Sequence, residues 1–193
     1  NASAGTRTKG TISFWVKRGS MGASQFIFTE AYDGNNGGFV YFSGGNSLVI
    51  VSYDEGTAQG QLVTSRLFRD PSAWYHICLN WDTTDGTAAD RMKMYINGTQ
   101  ETSFATRVNP SSDASLYFGV GSSSYPVRVG SKLGSEDFFD GYLAEVVKID
   151  ATAYTATSFG EFDSDSPTIW KPIDGLADLT FGTDGFYLDF KDS

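Results

Sequence analysis

Residues 138–150 read FFDGYLAEVVKID, and no other run limits the chain's options as much. Phe139, Gly141, Leu143 and Val147 share one parity, while Asp140, Tyr142, Val146 and Lys148 take the other. Strand side chains point alternately to opposite faces, so the run predicts a strand with one face in a core. Gly141, inside it, predicts a bulge or a close backbone approach.

Further runs behave alike. In Thr11–Lys17, Ile12, Phe14 and Val16 oppose Ser13, Trp15 and Lys17. Gln25–Thr29, Gln61–Leu67, Trp74–Asp82, Val127–Gly130 and Phe186–Phe190 also read as strands. Phe39–Phe42 and Leu48–Tyr53 form a hairpin around SGGN, and Met92–Ile96 and Thr99–Phe104 form another around Asn97-Gly98, a type I′ signal. Asn97-Gly98-Thr99 is also a glycosylation sequon, but the turn accounts for it without a sugar. Asp54–Gly60 reads as a polar loop and Asn109–Tyr125 as a long surface loop. Thr155–Gly160 suits one helical turn. About a dozen short strands with almost no helix predict an all-β antiparallel sandwich or barrel.

Aromatics make up 15% of the 193 residues, and 22 glycines against 5 prolines fit short strands joined by tight turns. One domain, 1–193, is the simplest partition, expected to be part of a longer polypeptide. No apolar run approaches the ~20 residues of a membrane-spanning helix. A net charge of −9 argues against nucleic acid, which is bound through Lys/Arg clusters. Cys78 is the only cysteine, so no intrachain disulfide forms. Cys78 and His76 share a parity on one strand, but no third group orients them as a nucleophile pair.

Four segments then stand in order: GTISFWVK at 10–17, Trp74-Tyr75-His76-Ile77, Met94-Tyr95-Ile96-Asn97-Gly98, and FDGYLAEV at 139–146. Together they resemble the laminin-G-like, pentraxin-like branch of the concanavalin A-like lectin and glucanase superfamily. The resemblance implies a two-sheet antiparallel jelly-roll sandwich. A narrower likeness, carried by Val16-Lys17-Arg18, FRDPSAWYH at 68–76, DGYLAE at 140–145 and GFYLDF at 185–190, is to tailed-phage structural proteins. It implies a non-enzymatic adhesion or structural domain of a tail fibre, baseplate or capsid-surface protein, on the virion surface. Its partners would be further copies of itself, other virion proteins and host-surface glycans. The alternatives are a secreted carbohydrate-binding module or polysaccharide-degrading enzyme domain of cellular origin, and a decoration domain without a ligand.

Retaining glucanases of this superfamily carry an E-x-D-x-x-E strand, whose carboxylates must sit roughly 5 Å apart. Glu145 and Asp150 differ in parity and would face opposite sides of a regular strand, so no catalytic residue is assigned. Two clusters pair aromatic platforms with hydrogen-bonding groups, as saccharide sites do: Tyr32, Asp33, Asn35 and Asn36, and then Tyr117, Ser124 and Tyr125. Asp82, Asp85 and Asp90 supply hard oxygen ligands of the kind Ca²⁺ uses, although Asp and Asn also simply favour turns. Trp15, Trp74, Trp81 and Glu145 read as structural.

Overall fold

The alternation in Thr11–Lys17 builds β1 (Lys9–Arg18), an interior strand of a sheet that is covered on both faces. The computed structural model describes residues 5–134 and 136–190. Ile12, Phe14 and Val16 point into the main core, and Ser13 and Trp15 point outward to a second apolar layer. On one side β1 pairs with β6 (Tyr75–Asp82), followed by β7 (Met92–Ile96) and β8 (Thr99–Gln100). On the other side lie β11 (Gly141–Asp150) and β14 (Phe186–Leu188).

The facing sheet runs β10 (Val127–Val129), β2 (Gln25–Ala31), β3 (Gly37–Phe42), β4 (Ser47–Asp54), β5 (Thr57–Leu67) and β9 (Phe104–Val108). All strand pairings in the two sheets are antiparallel. Val40, Phe42, Leu48, Ile50 and Leu62 from this sheet meet Ile77, Leu79, Trp81, Met92 and Met94 from the first. Removing such a side chain from water contributes about 1.5–3 kcal/mol. The result is the expected all-β jelly-roll sandwich, with only three single 3₁₀ turns among the described residues. One of them, Ala156–Ser158, is the expected helical turn.

Four local expectations are corrected. The 54–60 segment is not a loop: Glu55 and Gly56 form a two-residue turn at φ 49° and 75°, and pairing resumes at Asp54↔Thr57. Asn109–Tyr125 is not wholly superficial, because Leu116 and Phe118 are fully buried in the main core. Trp74 precedes β6 and is 41% exposed, so it is not a core strand residue.

The fourth concerns β11. Its bulge lies at Glu145, a non-glycine residue at φ 51°, where the register against β1 slips between Ser13↔Val147 and Trp15↔Ala144. The extra residue flips the parity. Leu143 and Val146 therefore reach the main core, whereas Val147 and Ile149 turn to the outer layer. Gly141 is instead the point of close approach: a Cβ there would stand 2.2 Å from the Lys17 carbonyl oxygen.

The outer layer caps the first sheet with a small hairpin, β12 (Gly160–Phe162) and β13 (Trp170–Pro172), and with Phe159 and Leu176. Asn97 and Gly98, at φ 48° and 76°, form the I′ turn that the sequence predicts. The bare Gly98 also receives Trp170, whose ring lies 2.3 Å from where a Cβ would stand. No helix among the described residues is long and apolar enough to cross a membrane.

Candidate functional site

One side of the sandwich is bounded by β10 and β14, an edge strand from each sheet. Glu30, near the end of β2, and Lys148, on β11, are both fully buried and meet at 2.7 Å across the gap between the sheets. Asp184 joins the same ammonium. A buried ion pair persists only when its remaining bonds are satisfied. Here Glu30 Oε1 accepts the backbone N–H of Val120 at 2.7 Å and of Gly121 at 2.9 Å. Burial raises the Glu30 pKa, opposed by the Lys148 ammonium and the Gly121 N–H. This triad pins the 119–126 segment over the sheet edges.

Pinned there, the segment walls a cleft of about 620 Å³ lined by Gly121, Ser122, Ser123, Tyr125, Pro126, Val127, Asp184 and Phe186. Tyr125 is its rim. The ring stacks on Tyr117 at 5.3 Å and tilts against Tyr32 at 5.9 Å. The Arg7 guanidinium covers the far face of the group, 4.3 Å from the Tyr117 ring centre. Tyr117 donates its hydroxyl to Asp54 Oδ1 at 2.7 Å. Burial, then that acceptor, push its pKa up to about 12, so it stays a donor at neutral pH. Tyr32 is 64% exposed.

The structure thus merges the aromatic members of two sequence clusters 85 residues and more apart into one ridge of three tyrosines. It does not bring the polar members with them. Asp33 Oδ1 accepts the N–H groups of Asn35 and Asn36, each at 2.8 Å, and these bonds hold its pKa down. Asn36 Oδ1 accepts the Glu55 N–H, tying two loops together. Ser124 donates its N–H to Ser122 Oγ. These groups shape turns.

Asp82, Asp85 and Asp90 do not converge either. Asp82 pairs with Lys9 at 2.7 Å; desolvation opposes, but Lys9 and Thr84 keep its pKa low. Asp85 accepts the Thr87 N–H, and Asp90 pairs with Lys93. Among the described residues no three carboxylate, imidazole or thiol groups gather as metal ligands.

His76 has no nitrogen left for Cys78. Trp170 Nε1, which can only donate, bonds His76 Nδ1 at 3.1 Å, so the ring proton sits on Nε2 and goes to Ser13 Oγ at 2.8 Å. Burial lowers the His76 pKa to about 3 and pushes the Cys78 thiol up. Asp150 accepts backbone N–H groups with both oxygens, and Glu145 accepts the Tyr187 hydroxyl. The sequence reading missed the Glu30–Lys148–Asp184 triad. Its one signal was a lysine inside the apolar run Val146-Val147-Lys148-Ile149.

Comparison with known structures extends the picture of the fold. The chain is similar to a heptameric SAP-like pentraxin from Limulus polyphemus, with 18% identity and a TM-score of 0.53 over 80% of this chain and 69% of that one. It is also similar to domain 4 of a GH43 extracellular arabinanase from Geobacillus stearothermophilus, in complex with arabinotriose, with 19% identity and a TM-score of 0.50 over 78% and 64%. Domains LG4-5 of the mouse laminin alpha1 chain share 10% identity and a TM-score of 0.51 over 77% and 39%. No curated protein matches the chain. The Laminin_G_3 model matches residues 1–157, and the chain belongs to that family of the concanavalin A-like lectin/glucanases superfamily.

Proposed function

We propose that this domain is a non-catalytic glycan-recognition module that uses the tyrosine-rimmed cleft. The observation that carries the reading is the convergence of Tyr32, Tyr117 and Tyr125 beside a cleft with Ser122, Ser123 and Asp184 in its walls. Aromatic faces take the apolar side of a sugar ring, while hydroxyl and carboxylate groups fix its orientation. We place the module on a phage particle, in a tail fibre, baseplate or capsid-surface protein, with copies of itself and other virion proteins as neighbours. The motifs at 16–18, 68–76, 140–145 and 185–190 support that setting. Repeated copies would turn weak single sites into firm attachment through effective concentration.

A secreted carbohydrate-binding module of cellular origin is the second reading. Its support is the arabinanase domain, a carbohydrate-bound relative in fold. The test is binding of the purified domain to a glycan array and to host-cell surfaces, with calcium and with chelator. Saturable, sugar-competed binding that falls in Tyr125→Ala supports the module, and chelator sensitivity would show that calcium takes part. Absence of binding, even with the domain displayed multivalently, overturns it in favour of a decorating role.

A further inference from the structure

On the outer face of the first sheet, away from the tyrosine cleft, three tryptophans meet. Trp15 comes from β1, Trp74 from the approach to β6, and Trp170 from β13, and they line one open groove of about 340 Å³ with Glu145 and Lys171. Only four tryptophans exist in the chain, and the fourth, Trp81, is buried in the main core. The aromatic surface continues at both ends: Tyr142 lies 6.4 Å from Trp74, and Phe162 packs edge-on to Trp170 at 4.9 Å. Trp74, Tyr142 and Phe162 are all exposed.

Glu145 reaches this groove only because of the β11 bulge. Its φ of 51° is a left-handed conformation that non-glycine residues seldom adopt, and such strain clusters at ligand sites. The Tyr187 hydroxyl holds the carboxylate in place. A second small hollow, lined by Asp174, Tyr187 and Asp189, adjoins through the same Glu145. Trp15 adds an indole N–H that is buried and has no partner among the described residues.

We propose that this tryptophan groove is a second saccharide-binding site, and that its ligand is a neutral oligosaccharide chain. The indole faces carry negative quadrupole density that attracts the partly positive C–H faces of pyranose rings. Glu145 accepts ligand hydroxyls. An anionic sugar is disfavoured by the net charge of −9 and by Glu145. Lys171, the cation in the lining, is already paired with Glu161 at 3.4 Å and Asp163 at 3.2 Å. The groove's volume falls within the ~300–1,000 Å³ of small-ligand clefts.

The site can be read apart from the tyrosine cleft, because none of the cleft's lining residues is tryptophan. Intrinsic tryptophan fluorescence and calorimetry would follow titration with cellohexaose, xylohexaose, mannohexaose and maltohexaose, and with sialyllactose as the anionic control. The expected result is a saturable fluorescence change with at least one neutral hexasaccharide and a weaker response to sialyllactose. Trp74→Ala should weaken binding about tenfold or more, the loss of one or two aromatic contacts. Glu145→Gln, which keeps the size of the side chain, should also weaken it, while Tyr125→Ala should leave it intact. No response to any neutral probe overturns the proposal. So does a response that survives both groove variants, that disappears in Tyr125→Ala, or that is stronger with sialyllactose. A shift in oligomeric state in Trp74→Ala without change in saccharide binding would make the groove a protein contact and equally overturn it.

Discussion

At His76 a single proton decides how the outer cap is held. The ring is neutral, accepting from Trp170 through Nδ1 and donating to Ser13 through Nε2. Protonating Nδ1 would set two donors against each other in a buried site. The folded pKa of about 3 lies below the unfolded 6.5, so the unfolded chain binds more protons between those values. Stability is therefore fully present above pH 6.5 and falls as pH drops toward 3. Urea unfolding across this window should show the midpoint dropping on acidification. His76→Gln, whose amide can make both bonds without titrating, should flatten that dependence. Neither bond is legible in the sequence, where His76 stands next to Tyr75 and two residues from Cys78, and Trp170 stands 94 residues away.

At the element scale, glycines mark where the strands leave no room for a side chain. Gly38 on β3 lies under the 117–118 strap, and a Cβ there would meet the Phe118 ring at 2.5 Å and the Tyr117 carbonyl oxygen at 2.8 Å. Gly38→Ala should destabilise the domain by about 1–3 kcal/mol, as overpacked cores do, and displace Tyr117 from Tyr125. Thermal melts together with glycan binding would show both losses in one variant. β11 offers the opposite case. Glu145→Gly relieves the left-handed strain of about 1–2 kcal/mol while removing a hydrogen bond to Tyr187 worth about 0.5–1.5 kcal/mol. Denaturant midpoints should show stability equal to or above that of the parent, with saccharide response in the tryptophan groove reduced. The bulge itself was hidden because it depends on the β1 register, whereas Gly141 was legible as the close backbone approach that it makes to Lys17.

Across the whole molecule, the two sheets are joined by packing and by one buried charge cluster. Lys148→Met would strand Glu30 and Asp184 without their cation and should cost about 3–5 kcal/mol. Adding Glu30→Gln, which keeps an acceptor for Val120 and Gly121, should recover part of the loss. A double-mutant cycle in urea would read the coupling. Period-two alternation and turn residues at Asn97-Gly98 were enough to indicate an all-β antiparallel sandwich or barrel, because strand pattern and turn chemistry are local properties of the chain, and the jelly roll followed from the family resemblance of the four ordered motifs. Tyr32, Tyr117 and Tyr125 were likewise visible as aromatic candidates. Their union depended on a strap anchored by Glu30, and the tryptophan groove on a cap folded back from residues 159–172 onto β1. Those arrangements were decided only in the tertiary structure, since contacts between residues so distant in sequence are set by how sheets pack and slip in register, which no local pattern encodes.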